Sequence, residues 1–216
     1  ACDAADEVYK LATKNDIPVT MTLLGLGAFP MTHSLALGML GMHGTAYANH
    51  AIMDSDLIIA VGARFDDRVT GKLDAFAPHA SVIHIDIDPA SVSKTVDVDI
   101  PIVGDAAIVL KQLNKMVEKP DTKEWLKTIA GWKKTYPMKY KDDEKLRPQY
   151  VVEQIYEATK GNAIICTEVG QNQMWAAQYF KFTKPRTIIS SGGLGTMGYG
   201  FPAAIGAKLG RPKMPV

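Results

Sequence analysis

Four short blocks carry the residue types that could do chemistry. They are Leu40-Gly41-Met42-His43-Gly44, Gly62-Ala63-Arg64-Phe65-Asp66-Asp67-Arg68, Asp86-Ile87-Asp88-Pro89 and Gly104-Asp105. Glycines let a ligand approach the backbone and present N–H groups to phosphate oxygens. Arg64 and Arg68 offer forked donors that suit a diphosphate. An Asp at a strand end, such as Asp86, can accept from ribose hydroxyls. The chemistry suits a nucleotide-like ligand. Two arginines and two aspartates within five loop residues are also compatible with internal ion pairing, and charge patterning alone leaves both readings open. His43, inside Gly-Met-His-Gly, reads as a ligand-contacting ring. The other histidines, His33, His50, His79 and His84, read as structural, because no pair has zinc-site spacing.

Two further blocks lie in the second half. Glu168-Val169-Gly170-Gln171-Asn172-Gln173 joins a strand to a helix, whose free N–H groups suit an anion. Gly193-Leu194-Gly195-Thr196-Met197-Gly198 is a literal G-x-G-x-x-G. The dinucleotide fingerprint also expects an acidic residue about 20 positions on, for the ribose. No acidic residue follows Glu168, so a nicotinamide-dinucleotide reading of this loop is rejected. It remains a loop that presents backbone to some ligand.

Alternating elements must position these blocks. Apolar, often β-branched runs at Val19–Leu23, Leu57–Val61, Val82–Ile87, Ile100–Val103, Ala163–Val169 and Thr187–Ser190 read as strands. Helices are expected at Asp3–Lys14, Gly44–Met53, Asp105–Val117, Asp121–Tyr136, Gln149–Thr159, Gln171–Phe180 and Gly200–Leu209, with Asp105 as an N-cap and Pro202 in a first turn. The pattern predicts an α/β fold with doubly wound parallel sheets, whose ligands bind at the carboxyl ends of the strands. The blocks beginning at Gly62 and Gly104 follow expected strands directly, Asp86 falls at the end of another, and Leu40–Gly44 lies just before an expected helix.

The 216 residues are 47% apolar and 22% charged, ordinary globular values that exclude disorder and collagen-like repeats. A net charge of +1 excludes a bulk basic field for nucleic acid or anionic lipid. No apolar run approaches the roughly 20 residues that span a bilayer. Two cysteines, Cys2 and Cys166, make neither a disulfide scaffold nor a zinc site. The near-zero balance conceals segregation. Residues 14–109 hold 11 Asp, no Glu and five basic residues, residues 111–149 hold 11 basic against six acidic residues, and residues 169–216 hold no carboxylate side chain. Such shifts mark segments.

Gly25-Leu-Gly-Ala-Phe-Pro30, Leu40-Gly-Met-His-Gly44, Gly62-Ala-Arg-Phe-Asp-Asp-Arg-Val-Thr-Gly71, Val169-Gly-Gln-Asn-Gln-Met-Trp-Ala-Ala-Gln178 and Ser191-Gly-Gly-Leu-Gly-Thr-Met-Gly-Tyr-Gly-Phe-Pro-Ala-Ala-Ile-Gly206 together resemble the catalytic large subunit of the acetolactate synthase (acetohydroxyacid synthase) family. The resemblance covers nearly the whole chain and is weakest in the basic middle stretch. It implies a Rossmann-like central FAD-binding domain over 1–118, a connector with one helix over 119–147, and the opening of a second α/β domain, for thiamine diphosphate, over 148–216. It implies FAD contacts from Thr22, Leu23, Leu40, Gly41, Met42, His43, Gly62, Ala63, Arg64, Asp66, Arg68, Asp86, Ile87 and Asp105. Thiamine-diphosphate contacts are implied for Val169, Gly170, Gln171 and Asn172 on the phosphate side and for Gly195 and Met197 against the rings. Position 172 departs from the family pattern, which usually has His there. Asn donates to a phosphate but carries no charge.

The family joins two pyruvates, or pyruvate and 2-ketobutyrate, with loss of CO2, in branched-chain amino-acid biosynthesis. Pyruvate oxidase, another carboligase and a non-catalytic nucleotide-binding module are the alternatives. The resemblance further implies Mg2+ held by residues outside this chain, no catalytic residue within it, and an isolated chain that is inactive. Small-molecule 2-keto acids, a homo-oligomer and a regulatory small subunit are the implied partners, with no nucleic acid and no membrane. The implied location is cytoplasmic, or organellar stroma in a eukaryote.

Overall fold

The computed structural model describes residues 2–216. Helix α1 (Ala5–Asn15) leads into β1 (Val19–Met21), β2 (Ala36–Met39), α2 (Ala46–Met53), β3 (Leu57–Val61) and the single turn α3 (Asp67–Thr70). Then come β4 (Ser81–Asp86), β5 (Ile100–Val103), α4 (Ala106–Met116), α5 (Lys123–Thr135), α6 (Pro148–Thr159), β6 (Ile165–Thr167), α7 (Gln171–Tyr179), β7 (Ile188–Ser190) and α8 (Gly200–Gly210). The strands form three sheets, β1-β2, β3-β4-β5 and β6-β7, and every pairing is parallel. The α/β expectation holds: the strands pair in parallel beside packed helices, with α7 crossing from β6 to β7, while β1–β2, β3–β4 and β4–β5 are joined by loops that carry only single helical turns.

The three-stranded sheet shows why its sequence is apolar throughout. Side chains alternate between faces. Ile58, Ala60 and Val82 face a cluster with Phe65 and Ala77. Ile59, Val61, Ile83 and Ile85 face the opposite way, onto Leu11 of α1 and Leu110 of α4. Both faces are covered, so both positions of the alternation are hydrophobic. Asp105 caps α4 as its sequence position suggests, accepting from Ile108 N–H at 3.0 Å. Thr45 caps α2, accepting from Ala48 N–H at 3.1 Å and donating to Leu37 C=O at 2.8 Å.

Leu57–Val61 and Ile100–Val103 form strands over their full expected length, whereas β1, β6 and β7 are shorter than their apolar runs. Val19–Leu23 stops at Met21 because Thr22 opens a 3-10 turn over Leu23–Gly25. Ala163–Val169 contracts to Ile165–Thr167, where β7 ends its pairing. Strand β2 has no counterpart among the expected elements. Its Ala-Leu-Gly-Met sequence lacks β-branched residues, and Gly38 sits at φ +76° within it. The helix expected from Gly44 begins at Ala46, because Thr45 serves as its cap.

One core spans both halves of the chain. Met21, Leu26, Phe29 and Met39 pack with Ala177, Phe180, Phe182 and Ile188 in one buried cluster. Phe29, Phe180 and Phe182 are almost fully buried. Met31 N–H donates to Phe182 C=O at 2.9 Å. The middle helix α5 also docks on the first half: Ile129 is buried beside Leu37, Ala48 and Ala51. Lys133 Nζ donates to Ser34 and Ala36 carbonyls at 2.9 and 3.0 Å, and burial pushes its pKa down.

Candidate functional site

The carboxyl ends of β3, β4 and β5 lie side by side. Register places Val61 beside Ile85 and Asp86 beside Val103. Two backbone bonds continue the ladder past the strands. Gly62 N–H donates to Ile85 C=O at 2.8 Å, and Gly104 N–H donates to Asp86 C=O at 2.9 Å. Gly62, Asp86 and Asp105 therefore share one sheet edge. Ile87 stands exposed beside them.

The loop after β2 is tied to this edge. Leu40 N–H donates to Met21 C=O at 3.2 Å, and Met42 N–H donates to Arg68 C=O at 2.8 Å. Asn49 of α2 holds Gly41 from both sides: its Oδ1 accepts from Gly41 N–H at 2.7 Å and its Nδ2 donates to Gly41 C=O at 3.0 Å. Gly41 has φ +92°, and a Cβ there would lie 2.3 Å from Arg68 C=O. Glycine is required by both conformation and space. Thr22 and Leu23, following Met21 directly, sit at the near end of this chain of bonds.

Phe65 explains the Arg-Phe-Asp-Asp-Arg block. It has φ +53°, which costs a non-glycine residue roughly 1–3 kcal/mol. Its ring is buried, edge-on to Phe76 and His84 with centroids at 6.0 and 5.3 Å. Burying a phenylalanine contributes about 1.5–3 kcal/mol, which offsets the strain. The anchored ring leaves Arg64, Asp66, Asp67 and Arg68 exposed around it. Arg64 and Asp66 pair at 2.8 Å, and Arg68 lies 3.9 Å from Asp67. Internal pairing is thus present. Exposed pairs of this kind are worth at most about 1 kcal/mol and yield to a stronger anion. Arg68 Nη1 also approaches Met42 Sδ at 4.0 Å, and Ala63 completes the loop between Gly62 and Arg64. Asp86 Oδ1 accepts from Asp88 N–H at 2.9 Å, so the Asp-Ile-Asp turn is held by its own first carboxylate.

The second group of residues gathers at β6. Val169 and Gly170 follow the strand, and Gly170 opens α7 at φ +109° with nothing within 4 Å of its would-be Cβ. Gln171 and Asn172 form the exposed first turn, and Asn172 Nδ2 makes only a long 3.4 Å bond to Val169 C=O. The nearest atom to a Cβ on Gly195 is Val169 Cγ2 at 3.9 Å, which brings the G-x-G-x-x-G loop beside Val169. Met197 and Leu194 are largely exposed on that loop. Glycines with open space, apolar side chains facing outward and a helix start with free donors fit a molecule with a diphosphate tail and an apolar ring system.

Glu168 organises this group, and the sequence reading gave it no role. Its carboxylate accepts from Gly198, Tyr199 and Gly200 N–H at 2.7, 3.2 and 2.6 Å, capping α8 from β6. Burial alone would raise its carboxyl. The backbone donors Gly200, Gly198, Phe201 and Tyr199 outweigh that, and its pKa lies below the ordinary value. The available signal was its being the last carboxylate before a stretch with none. The two groups of residues are linked directly, since Gln178 of α7 donates from Nε2 to His43 C=O at 2.7 Å. His43 itself is exposed.

Other features lie elsewhere. An open concavity of about 730 Å³ is lined by Met138–Arg147 with Tyr150, Glu153 and Gln154, away from both groups. Among the described residues, no cluster of three or more His, Cys, Asp or Glu side chains is placed to hold a metal ion. Among the described residues, no helix is long and apolar enough to cross a membrane.

The similarities to known proteins fall on these two groups. Residues 1–113 match the thiamine pyrophosphate enzyme central domain, and residues 168–216 match the thiamine pyrophosphate enzyme C-terminal TPP binding domain. The chain is 48% identical to the acetolactate synthase large subunit of Buchnera aphidicola subsp. Schizaphis graminum, over 99% of the chain and 38% of that protein. It is 51% identical to the probable acetolactate synthase large subunit of Methanocaldococcus jannaschii, over 97% of the chain and 37% of that protein. It is 50% identical to acetolactate synthase isozyme 3 large subunit of Escherichia coli, over 92% and 36%. The chain spans about a third of the length of the curated relatives it matches. With its central-domain match covering more than half of it, the chain belongs to the thiamine pyrophosphate enzyme family.

Proposed function

We propose that this chain forms the flavin-carrying and diphosphate-receiving part of an acetolactate synthase catalytic subunit. The observation that carries the reading is the near-50% identity to large subunits so named, spread over nearly the whole chain. In this reading the edge of β3-β4-β5 and the loop after β2 hold FAD. Arg64 and Arg68 exchange their aspartate partners for its diphosphate, and Asp86 and Asp105 accept from its hydroxyls. Backbone at Gly41, Met42, Gly62 and Ala63 lines the approach. The flavin is structural, with no net redox step.

Thiamine diphosphate, when bound, supplies an electron sink for decarboxylating a 2-keto acid. The chain's own residues bind and orient. Gln171 and Asn172 donate to the diphosphate from the α7 start, where the helix has no carbonyls of its own to occupy those groups. Gly195 lets the ring approach the backbone, and Met197 props it. Glu168 keeps that loop against Val169 by holding Gly198–Gly200. Magnesium is assigned no ligand in this chain. Pyruvate and a second 2-keto acid are the substrates, and the working form is a homo-oligomer.

The test is a chimera. Residues 1–216 replace the matching segment of the E. coli isozyme 3 large subunit, and acetolactate formed from pyruvate is measured with FAD, thiamine diphosphate and Mg2+. Acetolactate formation with the flavin staying oxidised supports the reading. Anaerobic bleaching of the flavin by pyruvate, without acetolactate, would move the assignment to a pyruvate oxidase.

A further inference from the structure

His84 is the most buried polar group near the sheet edge and the least satisfied. It is fully buried on β4, and neither Nδ1 nor Nε2 has a hydrogen-bond partner. A buried imidazole lacking both bonds is costly, so such a group needs an explanation. Its surroundings supply one. His84 and Asp86 are two apart on β4 and share a face. His84 Nε2 lies 3.8 Å from Asp86 Oδ2, just beyond hydrogen-bond reach. The Asp86 backbone cannot shift to close the gap, because its register is fixed by Val103 and by Gly104 N–H. The other carboxylate oxygen, Oδ1, is held by Asp88 N–H. The remaining freedom is rotation of the carboxylate about its own axis. The imidazole is meanwhile set edge-on to Phe65, the anchor of the Arg64–Arg68 block.

We propose that His84 is the positioning residue of the flavin site: it donates from Nε2 to Asp86 Oδ2 once a ribose hydroxyl engages the Asp86 carboxylate, fixing that carboxylate for the ligand. Ligand binding then satisfies a donor that the free protein leaves unmade, so part of the binding free energy comes from inside the protein. The same ring, through Phe65, couples the ribose side of the site to its diphosphate side. The inference rests on the flavin reading above and names a residue that touches no part of the flavin.

FAD is titrated onto the 216-residue chain and onto His84→Leu, His84→Gln, Asp86→Asn and the His84→Leu/Asp86→Asn pair. His84→Leu is expected to weaken FAD about ten-fold, the scale of one charge-assisted hydrogen bond. His84→Gln, which restores a donor, is expected to recover most of the loss. In the Asp86→Asn background His84→Leu should cost little more. A merely structural histidine would give the same loss in both backgrounds and no rescue by Gln, and that result overturns the proposal. Should His84→Leu fail to fold, 15N-histidine spectra of the unsubstituted chain decide. FAD should move one protected Nε2–H resonance downfield, and should not do so in Asp86→Asn. An unmoved resonance with FAD bound overturns the proposal alone. Failure of the unsubstituted chain to bind FAD overturns the flavin reading, and this inference with it.

Discussion

Met42 N–H donates to Arg68 C=O at 2.8 Å, and this bond joins the glycine loop after β2 to the arginine block after β3. Gly41 makes the approach possible. Gly41→Ala places a methyl against Arg68 C=O at a φ that alanine resists, and is expected to lower stability by roughly 1–3 kcal/mol. Urea unfolding measures it. Unchanged stability would mean that the two loops are not held together by this contact.

The side chains of Arg64 and Arg68 carry a different prediction, because truncating them leaves the backbone bond intact. Arg64→Ala or Arg68→Ala in the chimeric enzyme is expected to weaken flavin retention about ten-fold each, with little change in melting temperature. Flavin absorbance of the purified protein checks it. Full flavin content in both variants removes their assignment.

Glu168 gives a pH prediction whose sign follows from its depressed carboxyl. A carboxyl with a folded pKa below its ordinary 4.5 adds stability above that value. The stability is lost as pH falls from about 4.5 through the folded value. Glu168→Gln is expected to be less stable than the unsubstituted chain at neutral pH, and the difference should shrink below pH 4.5. Denaturation at pH 7 and pH 3.5 tests this. A constant difference would show that the cap is not charge-dependent.

How far these features can be read from sequence depends on how local their causes are. The strand-end content at Gly62, Asp86 and Gly104 was legible because both faces of β3-β4-β5 are covered and the apolar runs stop where the sheet stops. Asp105 was legible as a cap because its partner, Ile108, is three residues away. Strand β2 was not, since its glycine and unbranched residues are placed by β1 and by the Phe29–Phe182 core rather than by intrinsic preference. The left-handed turn at Phe65 is set by tertiary packing onto Phe76 and His84. The Glu168 cap joins residues 30 to 32 apart, beyond any local pattern. The choice between ligand binding and ion pairing for Arg64 and Arg68 was open on charge alone. The exposed pairs at 2.8 and 3.9 Å show a block that pairs internally and remains accessible.

The central claim is that the loops around residues 40–44, 62–68, 86–87 and 104–105 form one flavin site. An equilibrium titration of FAD onto the 216-residue chain, followed residue by residue in amide NMR spectra, tests it most directly. Saturable one-to-one binding that shifts Met42, Gly62, Arg68, Asp86 and Gly104 together, on a single isotherm, is the predicted result. Absence of binding, or binding that leaves these amides unmoved, would contradict the account.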